Sequence, residues 1–464
     1  MTVLQRIRSV VGPLGLVEDP QDQAAYLTDW LEKWHGRAAL VVRPGTVAEL
    51  AQVMALCHDT HTPVVTQGGN TGMSGGATPD ASGAQIVLST TRLNRIRQVD
   101  PVNQCMTVEA GVLLADVQGA AAQADLFFPL SLGSQGSCTI GGNLATNAGG
   151  VAVLRYGNMR DLVLGLEVVM PDGRVWNGLR ALRKNNTGYD LRHIFVGSEG
   201  SLGVITAAVL KLFSRPQARA TAWVGAASLD QLLQLLLLMR KNCDERLVAF
   251  EMLSDAALQL VLKHVPGTRA PLSQLCRFHA LIELADTQSE GLNELLESSL
   301  AAALASSLID DAVCCHSTQQ AHGLWAVREG VSAAQMRAGK AVKHDIALPL
   351  SEIPAFVAEA ENALMGSGGH LINFGHLGDG NLHFNVLLPA ETTATQFVEQ
   401  THTLNQLVHG LVQHYQGSIS AEHGVGQLRR DELKARLPQL ELDLMMRIKQ
   451  AFDPNQIMNP GKLL

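Results

Sequence analysis

The chain has 464 residues, 46% of them hydrophobic and 17% charged, with a net charge of −8. That length exceeds one ordinary core and calls for two or three domains; the composition excludes a disordered or fibrous chain, and an acidic balance with no long basic run argues against nucleic acid as a partner. The seven cysteines are scattered without metal-cluster or iron–sulfur spacing, so free thiols in a reducing compartment are expected.

Residues 1–8 lack the apolar core of a secretory signal, and no transit peptide is evident. The longest apolar stretch, 232–239, is too short for a membrane span, so cytoplasmic residence is expected. Residues 39–44 read as a strand; Thr46 and Glu49 then give a capping box that opens a helix through His58. A strand at 63–66 completes a β-α-β unit and runs straight into a glycine loop, 67–76. Strands at 86–88 and 107–109 precede a second glycine run, 133–150. A strand at 164–170 ends in the turn Pro171-Asp172-Gly173, and a third glycine run, 197–205, leads into a strand at 204–212. Character changes near 214–216. Helical patterns at 229–241, 290–305 and 354–365 then alternate with strand-like pieces at 220–224, 279–284 and 372–374, which suggests a separate α+β domain. A last helix at 440–452 precedes a turn-rich tail, and no internal repeat is visible.

The richest segment is 375–385. Asp379-Gly380 between alternating apolar runs predicts a two-residue hairpin turn with positive φ at both positions. Counting outward pairs Gly378 with Asn381, Leu377 with Leu382 and His376 with His383. Opposed residues of a hairpin have Cβ atoms roughly 5 Å apart on one face, a separation that lets two imidazoles share a divalent metal. Asn385, two residues beyond His383, falls on that face. Glu422-His423, followed by Gly424, offers a third ligand, and two His with one Glu leave coordination positions open. The competing reading is a pair of partly buried structural histidines.

A single glycine loop is most often a set of turns. Three in one N-terminal region, interleaved with Asn, Ser and Thr, point to a large cofactor whose phosphates sit against exposed N–H groups. Neither the G-x-G-x-x-G spacing nor a P-loop lysine motif is present.

Segments 67–76, 133–150, 184–191 and 197–206 resemble the FAD domain of vanillyl-alcohol-oxidase-type flavoproteins. Segments 375–385, 418–426 and Asn459-Pro460-Gly461-Lys462 resemble the FAD-linked D-2-hydroxyacid dehydrogenases, and the resemblance covers nearly the whole chain. It implies an α+β protein: a two-subdomain FAD-binding domain at 1–215, an α+β substrate- and metal-binding cap at 216–417, and a segment, 418–464, that returns to the FAD domain. Some relatives attach FAD to a histidine of the first loop; none stands there here, so non-covalent FAD is expected. By the resemblance, Gly68, Gly69, Asn70, Thr71, Gly72 and Gly75 hold the pyrophosphate. Gly133, Gly136, Ser137, Gly141, Asn143, Thr146 and Gly150, with Glu199, Gly200, Gly203, Ile205 and Asn459, contact the rest of the cofactor.

The resemblance further implies that Arg328 clamps a substrate carboxylate bidentately, that Ser332 shares its helix face one turn on, and that Lys343 adds a second cation. Two cations suit a dicarboxylate, and oxidation of D-2-hydroxyglutarate to 2-oxoglutarate is the implied reaction. His376, His383 and Glu422 would hold the metal, with zinc first and manganese or cobalt also suited. His423 would take the hydroxyl proton, Asn385 would hydrogen-bond the substrate, and the hydride would pass to flavin N5. Electrons would leave to electron-transfer flavoprotein or a quinone-linked carrier. Still open are D-lactate or glycolate oxidation, a flavin-dependent transferase, a surface ion pair of Arg328 with Glu329, and a purely structural His423.

Overall fold

The computed structural model describes residues 1–464. Met1–Gly150, Gly157–Arg215 and Glu422–Leu464 form one unit; Val151–Tyr156 and Pro216–Ala421 form another.

The strands of the first unit are, in chain order, Leu16–Val17 (β1), Leu40–Val42 (β2), Val64–Gln67 (β3), Ile86–Ser89 (β4), Ile96–Asp100 (β5), Cys105–Glu109 (β6), Leu126–Phe127 (β7), Val163–Val169 (β8), Val175–Gly178 (β9), Val204–Lys211 (β10) and Phe213–Ser214 (β11). One sheet runs β1-β2-β4-β3, with β2, β4 and β3 parallel and β1 antiparallel. A second, antiparallel throughout, runs β5-β6-β10-β8-β9. The helix Val47–Asp59 crosses between β2 and β3, as the periodicity predicts. Its apolar positions Leu50, Val53, Met54 and Cys57 are buried on one stripe against β2 and β4. Half of the capping box forms: Thr46 Oγ1 accepts from the Glu49 N–H at 3.1 Å. The Glu49 carboxylate reaches one residue further back and accepts from the Gly45 N–H at 2.7 Å.

Residues 457–459 join the first sheet. The Val64 N–H donates to the Ile457 carbonyl at 2.8 Å, and the Asn459 N–H donates to the Val64 carbonyl at 2.7 Å. Lys449, on the helix Gln439–Phe452, fixes this return by donating to the carbonyls of Ser201 and Met458 and to Asp453 Oδ2.

The second unit holds Ala218–Ala226 (β12), Leu247–Ser254 (β13), Phe278–Asp286 (β14), Asp311–Cys314 (β15), Ala341–Val342 (β16), Asp345–Ala347 (β17), His370–Gly375 (β18) and Asn381–Leu387 (β19). Its antiparallel sheet runs β15-β12-β14-β13-β18-β19-β16, with β17 also on β19. Because side chains alternate along a strand, each strand feeds two cores. Phe250, Met252, Phe384 and Val386 pack with the helices Leu229–Cys243, Leu292–Ala305, Ile353–Leu364 and Ala394–His414. Leu253, Ile372 and Phe374 pack with Asp255–His264 and Thr318–Ala338. The sequence patterns did not reveal β13 or the full extent of the two 21-residue helices, Thr318–Ala338 and Ala394–His414.

Candidate functional site

The hairpin between β18 and β19 differs from expectation. His383 pairs with Phe374, Phe384 with Asn373 and Asn385 with Ile372, so His376 is not the cross-strand partner of His383. A two-residue turn needs positive φ at both central positions, and here Gly380 has it (φ 88°) while Asp379 does not. Leu377–Asp379 instead makes a tight 3₁₀ turn, and His376 leaves the ladder at φ −84°, ψ 76°. Gly375 permits the exit: its φ is 154°, and a Cβ there would stand 2.4 Å from the Asn381 carbonyl. The two imidazoles nevertheless meet, with ring centroids 5.7 Å apart.

Each ring has a carboxylate beside it. His376 Nδ1 donates to Glu251 Oε1 at 2.7 Å, and His383 Nδ1 lies 3.7 Å from Asp345 Oδ1. Glu251 is a residue that sequence reasoning missed. It is 1% exposed, and its Oε2 accepts from Arg328 Nε at 2.8 Å and Nη2 at 2.7 Å. Burial opposes its ionisation, yet His376 and Arg328 outweigh that cost and hold the carboxyl below the usual range. The available signal was a single acid in the apolar run Leu247-Val248-Ala249-Phe250-Glu251-Met252-Leu253.

This changes the reading of Arg328. It is neither a surface charge nor paired with Glu329: it is buried, its Nε/Nη2 edge is taken by Glu251, and its guanidinium lies 5.1 Å over the Phe374 ring. Ser332 does not share its buried position and is exposed, as is Lys343. Asn385 is buried, and its amide is engaged: Oδ1 accepts from the His344 N–H at 3.0 Å, and Nδ2 donates to Gln335 Oε1 at 3.1 Å.

Residues 418–421 run beside β17, with the Ala421 N–H on the Asp345 carbonyl at 3.1 Å. Asp345 is the register partner of His383, and Glu422 is the next residue after Ala421. In the first unit, Glu422 Oε1 accepts from the Gly150 N–H at 2.9 Å, and the His423 carbonyl accepts from Ser74 Oγ at 3.0 Å.

The three glycine loops converge within the first unit. A Cβ on Gly68 would meet Thr139 Oγ1 at 2.2 Å, and one on Gly69 would meet the Ser137 carbonyl at 2.0 Å, so the first and second loops lie backbone against backbone. Asn459 Nδ2 donates to the carbonyls of Gly76 and Glu199, tying the third loop and the tail to the first. Some expected cofactor contacts are spent inside the protein. Asn70 Nδ2 donates to the carbonyls of Ala25 and Thr28, Thr146 Oγ1 donates to the Gly142 carbonyl, and Asn143 Nδ2 faces Cys138 Sγ. The Glu199 carboxylate accepts from the N–H groups of Val425 and Gly426, both at 2.8 Å; burial pushes its pKa up against those two bonds. Gly203 and Ile205 stand at the start of β10, beside Val169 and Val168.

The same loops fit a polar cofactor. Thr139 Oγ1, Thr78 Oγ1 and Asn459 Oδ1 are buried without a hydrogen-bond partner, which buried polar atoms seldom are. Open space surrounds Gly72, Gly133 and Gly136.

Comparison with known proteins agrees. Residues 38–178 match the family model described as an FAD binding domain, and residues 215–463 match that of the C-terminal domain of FAD linked oxidases. The chain is 37% identical to the mitochondrial D-2-hydroxyglutarate dehydrogenase of Danio rerio, over 97% of this chain and 82% of that protein. It is also 37% identical to the D-2-hydroxyglutarate dehydrogenase of Xanthomonas citri pv. viticola, over 98% and 96%. Among solved structures, p-cresol methylhydroxylase superimposes with a TM-score of 0.77 at 16% identity, covering 99% of this chain and 96% of that one, a likeness of fold.

Proposed function

The chain belongs to the FAD-linked D-2-hydroxyacid dehydrogenases, and within that family we propose that it oxidises D-2-hydroxyglutarate to 2-oxoglutarate. The observation that carries this reading is near-full-length identity to proteins bearing that name. FAD, held without a covalent bond, would supply the two-electron sink for the Cα hydride.

By the family resemblance, His376, His383 and Glu422 would hold one divalent ion, zinc first by ligand type. Such an ion lowers the pKa of a bound hydroxyl. The fit is supported by the Glu251 contact, since a ligating histidine is commonly oriented through its other nitrogen by a carboxylate. The remaining work falls to the chain's own side chains. The His423 imidazole accepts the hydroxyl proton as the Cα hydride leaves, so the alcohol becomes a carbonyl with atoms and charge in balance. The Lys343 ammonium and the end edge of Arg328, Nη1 and the second N–H of Nη2, attract the two carboxylates. Electrons then pass to a carrier such as electron-transfer flavoprotein or a quinone-linked protein.

The test is anaerobic flavin reduction with a panel of D-2-hydroxy acids, before and after chelation. D-2-hydroxyglutarate should bleach the flavin fastest. Faster reduction by D-lactate would overturn the substrate assignment, and undiminished reduction after complete metal removal would overturn the role of the ion.

A further inference from the structure

The geometry points to Glu251 as a positioning residue that sets two functional groups at once: the nitrogen His376 offers to the metal and the edge Arg328 offers to the substrate. The inference rests on the metal and carboxylate roles proposed above. Glu251 sits on β13 on the same side as Leu253, the side packed against the helix Thr318–Ala338 that carries Arg328. β13 pairs with β18 through Met252 and Gly375, which brings Glu251 beside the exit of His376.

An ionised carboxylate accepts hydrogen bonds and donates none. With Glu251 Oε1 at 2.7 Å, His376 must carry its proton on Nδ1, and in the neutral ring Nε2 keeps the lone pair a metal requires. Glu251 Oε2 accepts from both Nε and Nη2 of Arg328, which leaves the end edge, Nη1 and the second N–H of Nη2, for a ligand. The guanidinium carbon also lies 5.1 Å over the Phe374 ring, a cation–π contact that helps hold it in place. One buried carboxylate therefore locks a tautomer and a guanidinium orientation together. This arrangement predicts that Arg328 meets the substrate end-on, through the Nη1/Nη2 edge, because its side edge is held by Glu251.

Glu251→Gln preserves the volume but leaves one oxygen acceptor where there were two, so His376 or Arg328 must face an amide N–H. Zinc affinity, measured by competition with a chelating dye and independent of turnover, should fall about 10–100-fold. KM for D-2-hydroxyglutarate should rise, and flavin content should stay at the wild-type level. Glu251→Asp retains the charge and shortens the reach; it should also weaken zinc, and it serves as the readout should the amide variant not fold. Zinc affinity and KM within twofold of wild type in a folded variant would overturn the inference. Absence of zinc binding by the wild-type protein would instead overturn the metal reading and, with it, the His376 half of this one, while the KM of the variant would still decide the Arg328 half.

Discussion

The carboxylate of Glu199 is capped by two consecutive backbone N–H groups, those of Val425 and Gly426, each at 2.8 Å. Gly424 lies so close that a Cβ there would stand 2.9 Å from Glu199 Oε1. The third glycine loop thereby pins the turn that follows Glu422-His423. A hydrogen bond of this kind contributes about 0.5–1.5 kcal/mol net. Glu199→Ala should therefore speed amide hydrogen exchange across residues 422–427, lower the melting temperature and reduce kcat, because His423 loses its fixed frame. Exchange at wild-type rates in this segment would count against the account.

Separate roles for His423 and His376 predict separable phenotypes. His423→Asn should lower kcat about 10²–10⁴-fold, the range of a lost general base, while zinc affinity and flavin content persist. His376→Asn should lose zinc as well. Metal titration beside steady-state kinetics checks both, and equal zinc loss in the two variants would contradict the division.

Lys343 is exposed, so its replacement opens no cavity in the core. Loss of one charge-assisted contact of about 1.5–3 kcal/mol corresponds to about a 10–100-fold change in kcat/KM. Lys343→Ala should show that loss with D-2-hydroxyglutarate and a much smaller one with D-lactate. Kinetics on the two substrates in parallel would reveal an unselective defect.

Burial pushes the Lys462 ammonium down to about 8, only partly offset by Asp80. Below about pH 8 the folded and unfolded states are both charged, and the folded state bears the full burial cost. From there to the ordinary lysine value of 10.5 the folded state sheds its proton first, so the cost is relieved as pH rises. The shift corresponds to about 3 kcal/mol. In FAD-free protein, Lys462→Met should raise the melting temperature near neutral pH, and the gain should shrink as pH approaches 10.5. Thermal melts across that range check it.

The glycine loops, the alternation of helix and strand and the two hairpin histidines were legible because each is a local pattern. The turn at Asp379-Gly380 was not: its φ values follow from how β17, β18 and β19 pack, and the chain took a longer turn. The partner of Arg328 was equally hidden, since Glu251 stands 77 residues away and meets it only once β13 and the helix Thr318–Ala338 pack together. A helix-face argument placed Ser332 beside Arg328, but at four residues' spacing one is buried and the other exposed. The glycine signal also could not say which polar side chains would brace the loops from within, as Asn70 does.

The seam at Val64 makes biosynthesis discontinuous. Its N–H and carbonyl are satisfied by Ile457 and Asn459, so the first sheet lacks an edge until nearly four hundred further residues have been translated. Residues 216–421 leave the ribosome earlier and contain every strand of their own sheet, so that unit can close while the cofactor-binding unit still waits. For that interval the β3 edge stays unpaired, which makes the nascent first unit the stage most exposed to strand mispairing.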